Sequence, residues 1–347
     1  MPRAGETDVN EDYRGFLGLV SHEYFHTWNV KRIKPAAFLP YDLSREAYTE
    51  QLWAFEGITS YYDDLALVRS HLISAEAYLQ LLGETATRVW RGSGRHKQTL
   101  VESSFDAWIK FYRPDENASN ALVSYYTKGT LVALALDLTL RRGTKGRKSL
   151  DDVMRALWER KGKMSSGVAE DEIEKIATEV SGLDLTAFFH QALRTTQDLP
   201  LAQLLAEVGV EFHLRPAESD NDKGGKPAKM PEAALQQRAA LGVRLVDNSS
   251  EAKLAAVYDG GAAQAAGLSA GDVLVALNGI KVARANLEKQ LTRYRPGDAL
   301  HVHAFRRDEM LEVKVVTKPP PLDTCFLTVS ADASADTQAQ RQIWLNI

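Results

Sequence analysis

The chain has 347 residues and a net charge of −4, with 25% charged and 44% hydrophobic residues. This length predicts two or three domains, and the charge gives no reason to expect binding to nucleic acid or to an anionic membrane. The longest apolar run, Leu131 to Leu136, is far shorter than the ~20 residues of a membrane span. A single cysteine, Cys325, excludes an intramolecular disulfide, and residues 1–10 are polar and unlike a secretory signal. We therefore expect a cytoplasmic protein.

The first predicted helix carries the sequence His22-Glu23-Tyr24-Phe25-His26, an HExxH motif. On a helix, residues i and i+4 share one face, so both imidazoles can point at one zinc ion. Glu23 would then lie beside the open coordination position, where it could take a proton from a water held by the metal. The alternative, a surface helix with two solvated histidines, is less favoured because this spacing seldom arises by chance.

A second helix is predicted to begin near Ser44, a suitable N-cap, with Glu46 in its first turn. Further along, Glu56 has apolar and aromatic neighbours, where an ionised carboxylate is costly unless it is paired or binds a metal. We therefore predict Glu56 as the third zinc ligand, the alternative being an exposed helical glutamate. Asp63 can share a helix face with Glu56 and could orient a ligand histidine, although a carboxylate that caps or solvates the helix surface is the default expectation.

Four segments together resemble the glycyl aminopeptidase family of zinc metallopeptidases: His22–Pro35, Trp53–Tyr62, Glu102–Trp108 and Ser124–Gly129. The resemblance extends to about residue 210. That family belongs to the gluzincins, which are thermolysin-like and take their third ligand from a separate helix. The resemblance implies one Zn²⁺ ion held by His22, His26 and Glu56, with Glu23 as general base. It also implies peptide substrates with a small first residue, Gly or Ala.

Tyr126 precedes Lys128-Gly129 at the start of a strongly apolar predicted helix. In related aminopeptidases, the tyrosine at this position donates a hydrogen bond to the oxyanion of the tetrahedral intermediate, and a neutral phenol suits that role. The resemblance therefore implies Tyr126, rather than Tyr125, as the oxyanion donor. The alternative is that both tyrosines only pack in the core, as most tyrosines do.

The rest of the first 210 residues is predicted to form a series of short capped helices. Two of them begin after Ser74 and Ser149, and others end at glycines such as Gly182. We predict a multidomain chain: a mainly α thermolysin-like catalytic part and an α-helical domain, followed by an α+β domain. The predicted boundaries are 1–73 for the C-terminal part of the catalytic domain, 74–210 for the α-helical domain, 211–231 for a linker or mobile loop, 232–320 for the α+β domain and 321–347 for a tail.

The α+β domain resembles a PDZ domain of the kind found in bacterial proteases. The resemblance rests on the pattern Gly-Leu-x-x-Gly-Asp-x-Leu-x-x-x-Asn-Gly in residues 267–279. PDZ domains bind chain ends by adding a strand to a sheet edge. By position, the loop that holds the terminal carboxylate would be Leu241-Gly242-Val243, with residues 286–294 as the helix that lines the groove. The alternative is a PDZ fold that only packs on the peptidase.

The chain departs from the family at its start, because only 21 residues precede His22. We expect an N-terminally truncated chain that lacks the family's β-rich N-terminal domain. The Gly-x-x-Glu-His segment, which would bind the substrate amine, is not found. The leading hypothesis is a zinc aminopeptidase. The alternatives are a catalytically impaired fragment that serves as a PDZ peptide-binding module, and a zinc hydrolase with a non-peptide substrate.

Overall fold

The computed structural model describes residues 10–347, so the predicted absence of a secretory signal concerns residues that lie mostly outside this range. The first helix, α1, spans Glu11–Phe25 and ends at His26 as its C-cap. It begins at Asn10, whose side chain accepts a hydrogen bond of 2.8 Å from the backbone N–H of Tyr13. This cap satisfies one of the free N–H groups of the first turn.

The remainder of the helical part consists of short helices joined by brief connections. Its α-helices are α2 (Thr59–Arg69), α3 (Ala75–Trp90), α4 (Leu100–Phe105), α5 (Ala118–Ala121), α6 (Thr127–Gly143), α7 (Leu150–Leu157), α8 (Glu172–Ser181), α9 (Thr186–Arg194) and α10 (Leu201–Ala206). The π-helical segments are Trp53–Ile58, Ala107–Phe111 and Trp158–Gly162, and the 3₁₀ turns are Ala36–Phe38 and Ser93–His96. The short strands β1 (Lys34–Pro35) and β2 (Gly167–Val168) pair in parallel, and β3 follows at Val210–Arg215.

The caps of α3 and α7 lie where the sequence predicts them. The Ser74 side chain accepts from Ala77 N, and Ser149 forms a capping box with Asp152. The helix predicted from Ser44 does not form there, however. The Asp42 carboxylate accepts hydrogen bonds from both the backbone N–H and the hydroxyl of Ser44, and this local turn competes with a helix start. Helical structure begins only at the π-helical segment, which runs directly into α2.

The core of the helical part is centred on α6, which is buried along most of its length. Asp137 is the carboxylate that α6 buries in this core, and both of its oxygens have hydrogen-bond partners. They accept from the Tyr61 hydroxyl at 2.7 Å, the Arg141 guanidinium at 3.1 Å and the Leu150 backbone N–H at 2.8 Å. A buried charge with this many partners is tolerated and fixes α2, α6 and α7 relative to one another.

The PDZ domain follows as a separate hydrophobic core. Its antiparallel sheet has the order β4-β5-β6-β8-β9, and β7 pairs with β6. The strands are β4 (Val243–Leu245), β5 (Ala252–Val257), β6 (Val273–Leu277), β7 (Ile280–Lys281), β8 (Ala299–Arg306) and β9 (Glu309–Val316), and the helices are α11 (Glu232–Gln236), α12 (Ala262–Ala265) and α13 (Leu287–Leu291). Within the described chain, β4 is a terminal strand of this sheet, so its outer edge has no neighbouring strand.

The last residues return to the helical part instead of forming a separate tail. Strand β10 (Thr324–Val329) pairs antiparallel with β3 and packs on α3. The final helix, α14 (Ala335–Leu345), inserts Trp344, whose indole N–H donates to the buried Tyr61 hydroxyl at 2.8 Å. The segment predicted as a linker is partly ordered in the structure. Residues 210–215 form β3, and a buried ion pair of 2.6 Å between Arg215 and Asp222 organises the loop that follows.

Direct hydrogen bonds join the PDZ domain to the helical part. Asn120 in α5 is buried, and it donates to the Val257 carbonyl at 2.8 Å and accepts from the Asp259 backbone N–H at 3.0 Å. The Asp259 carboxylate also accepts from the Ser93 hydroxyl at 2.8 Å. Among the helices of residues 10–347, none combines the length and hydropathy needed to cross a bilayer.

Candidate metal centre and peptide groove

Three side chains from two helical segments converge at the end of α1. The Nε2 atoms of His22 and His26 are 3.1 Å apart, and Glu56 Oε2 lies 3.4 and 3.3 Å from them respectively. Three ligands at ~2.0–2.1 Å from a tetrahedral zinc ion are about 3.3 Å apart, so this spacing fits one such ion. Glu56 Oε2 is also buried without a hydrogen-bond partner among the described residues, as expected of an oxygen that binds a metal.

The other ring nitrogen of each histidine is held by a hydrogen bond. His22 Nδ1 lies 3.2 Å from the Asp63 carboxylate, and His26 Nδ1 lies 2.8 Å from the Asn29 carbonyl oxygen. A partner of this kind fixes the tautomer that keeps Nε2 free to accept a metal. Asp63 is therefore in the position that would orient His22, which the sequence analysis gave only as the lesser alternative.

Asn29 is a site residue that the sequence analysis missed. Besides its carbonyl, its buried side-chain amide donates to the Ala54 carbonyl at 3.1 Å and to the Thr59 hydroxyl at 3.2 Å. It thus connects the end of α1 to the π-helical segment that carries Glu56. The only hint in the sequence is an amide residue three positions after His26, amid aromatic neighbours.

The charges of the site are strongly coupled. Burial alone would lower the pKa of His22, but the carboxylates of Asp63 and Glu56 outweigh it and raise that pKa to about 9. The Glu56 carboxylate, 3.3 Å from His26 Nε2, likewise raises the pKa of His26. Burial would raise the pKa of Glu56, yet the two histidines hold it below its usual value. The site therefore favours positive charge between the ligands, which a divalent cation supplies in exchange for protons.

Glu23 follows His22 on α1 and is exposed. It is the one acidic residue of the HExxH motif, and its carboxylate does not belong to the cluster of His22, His26 and Glu56. The Glu23 carboxylate is therefore open to solvent beside this cluster.

Tyr126, immediately before α6, faces the cluster, whereas Tyr125 does not. The Tyr126 ring stacks on the His22 ring with centroids 6.4 Å apart, and its hydroxyl lies 3.4 Å from that of Tyr112. Tyr125 is buried, with its hydroxyl 3.3 Å from Tyr112. Burial, the Tyr112 hydroxyl and the Glu56 charge all raise the pKa of Tyr126, so its phenol keeps its proton at neutral pH. The sequence analysis did not single out Tyr112.

A close contact between two glycines brings Tyr126 near Glu56. A Cβ on Gly57 would lie 2.5 Å from the Gly129 Cα, and one on Gly129 would lie 2.9 Å from the Gly57 Cα. Only glycine permits backbones to approach this closely. The Glu56-Gly57 and Lys128-Gly129 pairs therefore set the distance between the π-helical segment and the start of α6.

The PDZ domain has its own cavity of about 210 Å³ between β4 and α13. Leu241, Gly242 and Val243 form one side, and Leu287 and Leu291 form the other. Within residues 10–347, the backbone N–H groups of Leu241 and Gly242 donate to no protein acceptor, and Gly242 has a φ of +74°. Free N–H groups in such a turn are suited to an anion. The predicted carboxylate loop thus lies in the groove.

Comparison with known proteins agrees with these geometries. Residues 15–132 match the profile of the M61 glycyl aminopeptidases, and residues 239–317 match that of the PDZ domain. The predicted resemblance to this family, and a helical part followed by a PDZ domain, are thereby confirmed. The M61 region contains His22, His26, Glu56 and Tyr126.

A solved structure of greater length extends the match beyond the M61 region. It is the crystal structure of an aminopeptidase N family protein from Idiomarina loihiensis, with 40% identity and a TM-score of 0.91 over 99% of this chain. The present chain spans 57% of the length of that relative. Shorter matches, at 22% identity and TM-scores of 0.22, are to a serine endoprotease from Yersinia pestis and to the HtrA-type protease AlgW with a decapeptide, covering 25% and 24% of this chain and 30% of each of those chains. Comparison with curated proteins gives no match.

Proposed function

We propose that this chain is a zinc-dependent aminopeptidase with a gluzincin-type, thermolysin-like centre, in which one Zn²⁺ ion is held by His22, His26 and Glu56. The observation that carries the proposal is the separation of 3.1–3.4 Å among the three ligand atoms, with Glu56 Oε2 buried and unpartnered within the described chain. The match of residues 15–132 to the profile of a peptidase family supports the same reaction.

Zinc in such a site would lower the pKa of a bound water and polarise the scissile carbonyl. Glu23 would take the proton from the attacking water and pass it to the leaving amine. Tyr126 would donate its phenolic hydrogen to the oxyanion that develops on the substrate, and its raised pKa keeps that hydrogen in place. Asp63 and the Asn29 carbonyl would hold the two histidines in the required tautomers.

The substrate would be a peptide with a small first residue, Gly or Ala. This part of the proposal rests on the match of residues 15–132 to the glycyl aminopeptidase profile. The alternative is a catalytically impaired fragment that acts through its PDZ domain.

The decisive experiment combines metal analysis with hydrolysis. We expect one zinc per chain, release of the aniline from glycyl and alanyl anilides, and loss of both zinc and activity after chelation. Glu23→Gln is expected to retain stoichiometric zinc and lower kcat by more than about 10³-fold. Absence of stoichiometric metal would contradict the proposal, and bound zinc without turnover would favour the impaired fragment.

A second function is favoured by the free N–H groups of Leu241 and Gly242 and the unpaired edge of β4. We infer that this groove binds a peptide C-terminus by strand addition. Leu291 lines the groove, so Leu291→Asp should weaken binding of C-terminal peptides at least tenfold. Peptides with a C-terminal amide serve as the control, since they lack the carboxylate. Equal binding of acid and amide forms would contradict this function.

A further inference from the structure

A cavity of about 510 Å³ extends to Tyr112, the residue whose hydroxyl lies 3.4 Å from that of Tyr126. The segment of residues 37–48 forms one wall, and the π-helical segment Ala107–Phe111 with its neighbours forms the other. Its lining is rich in aromatic side chains, namely Phe38, Tyr41, Tyr48, Trp108 and Tyr112. Pockets of this size and composition bind large apolar groups.

The two walls are fixed to each other and to the rest of the helical part. The Trp108 indole N–H donates to the Ala47 carbonyl at 3.0 Å and bridges the walls. The Tyr48 ring packs against Phe105 with centroids 5.1 Å apart. At the far end, the Lys34 ammonium donates to the Tyr41 hydroxyl at 2.8 Å. These contacts fix the position of each wall, as a preformed pocket requires.

The charged residues at the cavity already have partners. Arg45 and Asp42 form an ion pair of 2.9 Å, and the Tyr48 hydroxyl donates to Glu46. Because these charges have partners, the cavity does not call for a charged occupant. The surface that the cavity offers to an occupant is the faces of its aromatic rings.

The cavity reaches the candidate metal centre through two tyrosines. Tyr112 lines the cavity, and its hydroxyl lies 3.4 Å from that of Tyr126, whose ring stacks on His22. A peptide whose scissile carbonyl lies at Tyr126 would therefore have a neighbouring side chain within reach of the cavity.

We propose that this aromatic cavity binds the side chain of the second substrate residue and selects a large aromatic or apolar one. The inference rests on the proposed aminopeptidase function, because a first residue as small as Gly or Ala would leave the space empty. Favourable occupants are Phe, Tyr, Trp or Leu, which would stack on Trp108 and Tyr48. Trp108 would act as a specificity-determining residue, without a part in the chemical step.

The test compares two peptide amides, Gly-Phe-Ala-NH₂ and Gly-Ala-Ala-NH₂, whose blocked C-termini avoid the carboxylate loop of the PDZ domain. Their affinities are measured by calorimetry on the full zinc-loaded chain carrying Glu23→Gln, so that binding is read without turnover. We expect the Phe peptide to bind about tenfold more tightly. In the wild-type chain, the same preference should appear in KM, with similar kcat values.

Two neighbouring positions on the same helical segment, Trp108 and Ile109, provide the test and its control. Trp108→Ala should reduce the preference for Phe to about threefold or less and leave the affinity for the Ala peptide unchanged, while Trp108→Phe should keep most of the preference. Ile109 is equally exposed but does not line the cavity, so Ile109→Ala should behave as the parent. Trp108 is half exposed, so its removal leaves the core intact.

The outcomes separate this inference from the proposed function. Equal binding of the two peptides, no binding of either, or equal weakening of both by Trp108→Ala would overturn the pocket assignment. Hydrolysis of both peptides with the same KM would retain the aminopeptidase and reject the pocket. Selective binding of the Phe peptide, lost in Trp108→Ala, together with no hydrolysis by the wild type, would retain the pocket and reject the aminopeptidase.

Discussion

The candidate metal centre and the PDZ groove present their binding atoms in opposite ways. In the centre these atoms belong to three side chains, and each histidine is held through its second nitrogen by a partner in the helical part. In the groove they are the backbone N–H groups of Leu241 and Gly242, with apolar side chains opposite. Loss of a single side-chain atom should therefore disable the first site, whereas the second should respond gradually to changes in contact area.

The sharpest test of this contrast is Glu56→Gln, which keeps the shape of the side chain and removes its charge. We expect the affinity for zinc to fall by more than about 100-fold, because a neutral amide is a poor ligand and the two histidines lose their anionic partner. Equilibrium dialysis with a zinc chelator measures the change. Glu50→Gln, at an exposed glutamate close by, should bind zinc normally.

The same Glu56→Gln chain should bind C-terminal peptides at the PDZ groove with unchanged affinity, since the groove shares no residue with the centre. A parallel loss of peptide binding would show that the two regions depend on each other through the contact at Asn120, and the contrast would then fail.

A narrower effect, on turnover alone, is expected from Tyr126→Phe, which removes one hydroxyl and keeps the ring that stacks on His22. If Tyr126 stabilises the oxyanion, kcat should fall by about 10²–10³-fold with zinc content and KM little changed. Tyr125→Phe is the matched control, because it removes the neighbouring hydroxyl that contacts Tyr112, whereas the ring that stacks on His22 is that of Tyr126. Equal losses in the two variants would indicate that the tyrosines serve only to pack the helix start.

The positions of both sites could be predicted from the sequence. Both were located by short motifs with a strict physical basis: HExxH puts two imidazoles on one helix face, and the Gly-rich PDZ pattern marks turns that need a positive φ, as at Gly267, Gly271 and Gly279. The structure brings His22, His26 and Glu56 within ligand spacing, although their roles stay predictions until metal is measured.

What the sequence could not predict depends on contacts between distant parts of the chain. The Asn29 carbonyl acts through backbone geometry, and Tyr112 acts through the fold of a π-helical segment, so neither leaves a motif. The pairing of β3 with β10 joins residues more than 100 positions apart. The helix expected at Ser44 failed for a local reason, because Asp42 offers its carboxylate to a turn at the same residues.

Asp63→Asn tests the partner of His22 and should have a more modest effect. The amide can still accept a hydrogen bond but no longer supports the imidazole with a charge, so zinc affinity should fall by about 10–100-fold. Asp64→Asn is matched in type and position, and its carboxylate approaches Gly18 on α1 instead of a ligand. A change in Asp64→Asn as large as in Asp63→Asn would assign the effect to the general negative charge of α2.

The smallest expected effect concerns the groove. There the segment of residues 217–220 packs beside α13, and the Asp220 backbone N–H donates to Glu288 at 2.7 Å. Partial desolvation and the nearby Glu288 carboxylate raise the pKa of Asp220 to about 6. A raised acid pKa means that the folded state favours the protonated form of Asp220. The resulting contribution to the free energy of unfolding is full below about pH 4 and is lost as the pH rises through about 6.

At pH 7.5, Asp220→Asn should therefore melt slightly higher than the wild type, by no more than about 2 °C, and the difference should vanish below pH 4. Asp332→Asn, at an exposed carboxylate of the last loop, should show no such pH-dependent gain. Thermal unfolding of all three chains between pH 4 and pH 7.5 measures this, and a higher melting temperature of the wild type at pH 7.5 would mean that ionised Asp220 stabilises the contact between this segment and the groove.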